Sequence, residues 1–138
     1  MSNDKLIITI NRKTPTVNHL WGFRGFNRYL KTEGKEFVNY INNTIPTQIK
    51  DINYEELKKT ELKVEVNIYE NWYTKKGLVA RKDADNRVKF LMDKVFDCIN
   101  INDKFIFELV VIKKQSTMEE KTIICIEKME GENKWNKN

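Results

Sequence analysis

The stretch Asp83-Ala84-Asp85-Asn86-Arg87-Val88-Lys89-Phe90-Leu91-Met92-Asp93-Lys94-Val95-Phe96-Asp97-Cys98-Ile99 decides the fold. Val88, Leu91, Met92, Val95, Phe96 and Ile99 recur at i, i+3, i+4, i+7, i+8 and i+11. That spacing predicts an amphipathic helix from about Ala84 to Ile99. An Asp or Asn at its start suits both an N-cap and the positive end of the helix dipole. Just upstream, Leu62, Val64, Val66 and Ile68 alternate with Lys63, Glu65 and Asn67, the period of a strand with one wet face. Downstream, Phe105 to Ile112 and Thr122 to Met129 are β-rich runs whose 113–121 connection reads as a hairpin.

Outward from this centre, Leu6 to Ile10 reads as a short strand, and Thr14-Pro15-Thr16-Val17-Asn18 breaks it. Gly22 and Gly25 predict an irregular stretch. A helix is expected from Thr32, with the Thr32 hydroxyl as cap, Phe37, Tyr40 and Ile41 on one face, and Pro46 as its stop. Tyr54 to Lys59 reads as a short helical turn, and Asn71 to Lys82 as a basic loop containing Gly77. The expectation is a single small α+β domain, approximately βαβαββ, with an antiparallel or mixed sheet. It spans residues 1–131, and 132–138 form a polar, frayed tail.

A chain of 138 residues has room for one core and needs no disulfide or metal to hold it. With 40% hydrophobic and 33% charged residues it is not a disordered chain. No apolar run approaches the roughly 20 residues of a membrane span, and no secretory signal is expected from the start of the chain. Cys98 and Cys125 read as buried, reduced thiols, which implies a cytoplasmic protein. Two Cys and one His cannot complete a Cys/His zinc site, and His19 would have to carry any nucleophilic triad alone.

The formal net charge is +5, and its distribution is uneven. Between Asn71 and Lys89 lie Lys75, Lys76, Arg81, Lys82, Arg87 and Lys89, against only Asp83 and Asp85. Trp72 and Tyr73 offer stacking or packing surfaces beside the lysines. Asp83, Asp85 and Asp103, without a histidine or thiolate among them, make a hard, oxygen-rich set suited to Mg²⁺ or Mn²⁺. A metal would also let carboxylates sit where the surrounding cations hold a polyanionic backbone. Lys89, at i+4 from Asp85, shares its helical flank and could stabilise charge on a phosphoryl group. An EF-hand is excluded, because counting from Asp83 the glycine position holds Val88 and the last ligand position holds Lys94. Against these readings, Asp at a helix start is commonly a cap, and a basic run is commonly a solvated loop. Asp93 and Asp97 read as solvated surface.

Arg81-Lys82-Asp83-Ala84-Asp85-Asn86-Arg87-Val88-Lys89, then Phe96-Asp97, then Ile101-Asn102-Asp103, resembles the RusA family of Holliday-junction resolvases. A strand, Pro15-x-x-Asn18 and a helix with Glu33-Gly34 near its start fit the same pattern. The resemblance covers roughly Leu6 to Met129. It implies a homodimeric endonuclease that takes Mg²⁺, with Mn²⁺ as substitute, and resolves four-way junctions by paired, symmetric nicks. By the same resemblance Asp83, Asp85 and Asp103 are the metal ligands, Lys89 is the catalytic lysine, and Lys82 is the basic residue before the motif. Many members carry two consecutive acids at the third position, whereas here Asn102 precedes Asp103. Lys75, Lys76, Arg81 and Lys82 are the expected nucleic-acid contacts. Branched DNA and a second copy are the expected partners, with no membrane and no organic cofactor, at nucleoid, phage or viral DNA. The alternative is a branched-DNA-binding protein that does not cut.

Overall fold

The computed structural model describes residues 3–16, 21–82 and 84–130, without the side chains of Asp85 and Asn86. His19, Asn18, Asp83 and the 132–138 tail, all singled out above, lie outside the described residues.

The main sheet has four strands in the order β1 (Lys5–Ile10), β6 (Lys121–Lys128), β4 (Leu62–Glu70), β5 (Ile106–Gln115). β6 is antiparallel to both of its neighbours, and β4 is parallel to β5. A separate hairpin joins β2 (Trp21–Arg24) to β3 (Asn27–Leu30). Helix α1 covers Thr32–Ile49 and helix α2 covers Asp85–Ile99, with short 3₁₀ turns at Glu55–Lys59 and Asp103–Phe105. The domain is α+β with a mixed sheet.

One face of the sheet is closed. Leu6 and Ile8 stand opposite Ile126 and Ile124, which in turn stand opposite Val64 and Val66. Onto these pack Phe37, Ile41, Ile45 and Ile49 of α1 and Val88, Leu91, Met92, Val95, Phe96 and Ile99 of α2, in one buried cluster. The helical spacing read from α2 is therefore its core face. At its far end Asn100 takes the left-handed conformation (φ 58°, ψ 43°), closes the helix on the Asp97 and Phe96 carbonyls, and turns the chain toward Asp103.

Four expectations need correction. The runs after α2 do not form a hairpin with each other, because β4 lies between them and pairs with both. β4 is buried at Leu62, Val64, Val66 and Ile68, so a central place between two strands suits it best. The connection from β5 to β6 passes the end of β4, where the Ser116 N–H donates to the Glu70 carbonyl. Residues 21–30 are not irregular. Gly25, at φ 63°, takes the first central position of a two-residue turn, where a positive φ matches the twist of the flanking strands. Thr32 does not cap α1: Lys31 occupies the N-cap position and no side chain caps the helix. Nor does Pro46 end it. The stripe Phe37, Ile41, Ile45, Ile49 continues through the proline. Burying Ile45 and Ile49 is worth about 1.5–3 kcal/mol each. That offsets the roughly 3 kcal/mol of an interior proline.

Candidate nucleic-acid and metal site

The parallel pair β4–β5 requires a crossover, and the crossover consists of the basic loop followed by α2. The side chains that begin and end this crossover place the candidate residues.

At the end of β4, Glu70 is buried, 1% exposed, and pairs with Arg87 of the first turns of α2, also 1% exposed. Glu70 Oε2 accepts from Arg87 Nη1, and Oε1 accepts from Nη2 at 3.1 Å. Arg87 Nη1 also reaches the Thr14 carbonyl at 3.4 Å. Arg87 Nε and Thr14 Oγ1 have no partner among the described residues. The Lys82 ammonium is 3.5 Å from Glu70 Oε1 and donates to the Asn71 carbonyl at 2.8 Å. Lys113 of β5 donates to the Lys82 carbonyl at 2.7 Å. Lys82 and Arg87, which flank the Asp-Ala-Asp-Asn motif in sequence, are thus both anchored. Glu70 was not visible as a site residue in the sequence. Its only signal was an acid at the end of a strand, 17 residues before an arginine in the motif.

These contacts divide the basic stretch into two groups. Arg87 is neutralised internally and adds nothing to the outer surface. Lys82 is turned inward. Trp72 is buried, not a stacking platform: its Nε1 donates to the Ile68 and Lys114 carbonyls, tying β4 to β5. The ammonium of Lys113 and the guanidinium of Arg87 lie 4.7 Å and 5.3 Å from its ring centre. Lys75, Lys76 and Arg81 remain exposed and make no ion pair among the described residues. Lys75 and Lys76 sit on a tight turn closed by the Thr74 N–H to the Leu78 carbonyl at 2.7 Å, with Gly77 at φ 78°. Tyr73 beside them is half-exposed.

Among the described residues no side chain caps the start of helix α2. Its N-cap position is Ala84, and Asp85 is the first helical residue. Three residues past the helix, Asn102 caps the following 3₁₀ turn by accepting from the Lys104 N–H at 2.9 Å. The Asn102 that departs from the family pattern therefore shapes the turn that presents Asp103. Asp103 and Lys89 are both exposed and line one cleft of about 400 Å³, together with Asp93, Val88, Met92, Ile106, Leu109 and Val111. Asp93, read from sequence as plain surface, borders this cleft.

The carboxylate set is all oxygen, and the exposed Asp103 carboxylate makes no ion pair among the described residues. That chemistry fits a hard divalent cation. No three His, Cys, Asp or Glu side chains cluster among the described residues, so completing the set takes Asp83 and Asp85. Along the helix, Lys89 stands about 6 Å and Asp93 about 12 Å beyond Asp85. Among the described residues, Asp103 shares its cleft with Lys89 and Asp93 of α2. Cys98 and Cys125 are half-buried and unbridged. Burial pushes both thiols up from their ordinary value, which leaves them protonated and outside the site chemistry.

Replacing Arg87 with Met leaves the Glu70 carboxylate buried with only Lys82 near it, and should cost about 3–5 kcal/mol of stability by urea unfolding. The double replacement Glu70→Leu with Arg87→Met should cost well under the sum of the single losses. Strict additivity would contradict the pairing.

No curated protein matches the chain. A family model described as endodeoxyribonuclease RusA matches residues 12–127, a span that takes in the hairpin, both helices, the basic loop, Asp83, Asp85, Lys89 and Asp103. The chain belongs to the RusA family of endodeoxyribonucleases, nucleases of Holliday-junction resolution.

Proposed function

We propose that this chain is a divalent-metal-dependent endonuclease that resolves four-way DNA junctions by paired nicks, acting as a homodimer. One observation carries the reading. Asp85 stands at the first helical position behind an alanine N-cap, so the commonest structural reason for an aspartate at a helix start does not apply.

Asp83, Asp85 and Asp103 would hold Mg²⁺, or Mn²⁺ in its place. The ion, when bound, polarises a phosphoryl oxygen and acidifies a water molecule. Lys89, on the rim of the cleft that holds Asp103, places a cation where negative charge grows on the phosphate in the transition state. Lys75, Lys76 and Arg81 carry the DNA backbone toward the carboxylates, and counterion release supplies most of that affinity. The anchoring of Lys82 and Arg87 keeps these elements in register with β4 and β5.

The cleft supports the dimer. Its lining of Val88, Met92, Ile106, Leu109 and Val111 is apolar, and Phe107 and Leu109 on the edge strand β5 are 56% and 46% exposed. A second copy packed there removes this surface from water. Two-fold symmetry then places one carboxylate set on each copy. Two sites related in this way suit two opposed nicks across a junction with matching symmetry.

Asp85→Asn should abolish cleavage of a synthetic four-way junction while binding stays equal or becomes tighter, since a ligand and a phosphate-repelling charge are lost together. Parallel loss of both, or undiminished cleavage, contradicts the role. Leu109→Asp should yield a monomer by light scattering, with paired cleavage reduced by at least about 10²-fold, since the two sites are no longer held together on one junction. A monomeric variant that still cuts in pairs contradicts the dimer.

A further inference from the structure

The hairpin Trp21–Leu30 is anchored at its base and bare at its tip. Trp21 packs edge-on against Phe90, with ring centres 6.1 Å apart, and Phe90 is the α2 residue next to Lys89. The strands pair Trp21 with Leu30, Gly22 with Tyr29, Phe23 with Arg28 and Arg24 with Asn27. Tyr29 lies across Gly22 so closely that a Cβ there would stand 2.4 Å from the ring, and this close approach is what requires the glycine. At the tip the burial pattern inverts. Phe26 is fully exposed and Phe23 is 70% exposed. Arg28 lies over the Trp21 ring at 4.0 Å and Arg24 over Tyr29 at 5.1 Å, and neither makes an ion pair among the described residues.

Residues 21–31 contain Arg24, Arg28 and Lys31 and no acid. An exposed phenylalanine costs solubility unless something covers it, and an apolar partner alone would not favour arginines between the rings. Aromatic faces interleaved with cations match one ligand chemistry: nucleic-acid bases out of the stack, with phosphates alongside. At a four-way junction such bases are found at the crossover, where stacking is interrupted.

Building on the junction-resolving function above, we propose that this hairpin is a second DNA contact, which recognises the branch point by stacking Phe26 and Phe23 on bases at the crossover. Arg24 and Arg28 meet the adjoining phosphates. The Trp21–Phe90 contact couples the hairpin to the helix that carries Asp85 and Lys89, so holding the crossover sets the register of the cut. The basic loop supplies affinity for any duplex, and the hairpin supplies preference for a branch.

The test compares wild type with Phe23→Ala/Phe26→Ala. Both side chains are exposed, so the fold should persist, with circular dichroism and melting as the check. Binding to a four-way junction and to a linear duplex of equal length is measured across a salt series. The variant should lose about tenfold or more on the junction, the effect of removing a single base stack, with duplex affinity and salt slope unchanged. A junction labelled with 2-aminopurine at the crossover should brighten on adding wild type and stay dark with the variant. Equal losses on both DNAs, or none, would overturn the proposal. So would a variant that has become monomeric, which would assign the hairpin to the contact between copies. If the wild type shows no preference for the junction, the functional reading itself fails, and this result is distinct because it needs no variant.

Discussion

The burial of Arg87 against Glu70 is the contact on which the rest of the site depends. It joins the last residue of β4 to the start of α2 across a long basic connection, and it does so with two charges out of water. Such a pair gains little net stability over an apolar replacement, but it is costly to break from one side. That asymmetry suits a place where register matters more than stability. Trp72, held on two carbonyls and touched by the cations around it, and Lys113, held on the Lys82 carbonyl, fasten the same corner from the β5 side.

From that corner the chemistry runs along α2. The helix carries the core on one flank and Lys89 and Asp93 on the other, and the left-handed turn at Asn100 sends Asp103 back beside them. The apolar cleft between α2 and β5 lies beside these polar groups. In the proposed dimer a second copy covers this apolar surface. The family relationship supplies the nuclease activity.

Much of this was legible in the sequence, because α2 obeys a strict helical period and β4 a strict alternation. The motif around Asp85 stands out in the sequence because two carboxylates beside a basic run repel the phosphates that the run attracts unless a cation lies between them. What could not be read depended on partners distant in sequence. Arg87 counted as surface charge until Glu70 was found against it, and Trp72 read equally well as a stacking ring or as packing. The β5–β6 connection looked like a hairpin because local spacing does not reveal a third strand inserted between two others. The β2–β3 hairpin was hidden because its glycines are turn signals whether the flanks pair or not. Pro46 misled for the opposite reason: a local rule was outweighed by the burial of Ile45 and Ile49 on either side of it.

The most direct test of the account is cleavage by protein stripped of metal with a chelator and dialysed, offered a synthetic four-way junction and a matched linear duplex. The account predicts binding without cutting in the absence of metal, and on adding Mg²⁺ two nicks placed symmetrically across the junction, with the duplex left intact. Cutting that persists without any divalent ion, or equal cutting of junction and duplex, would contradict it.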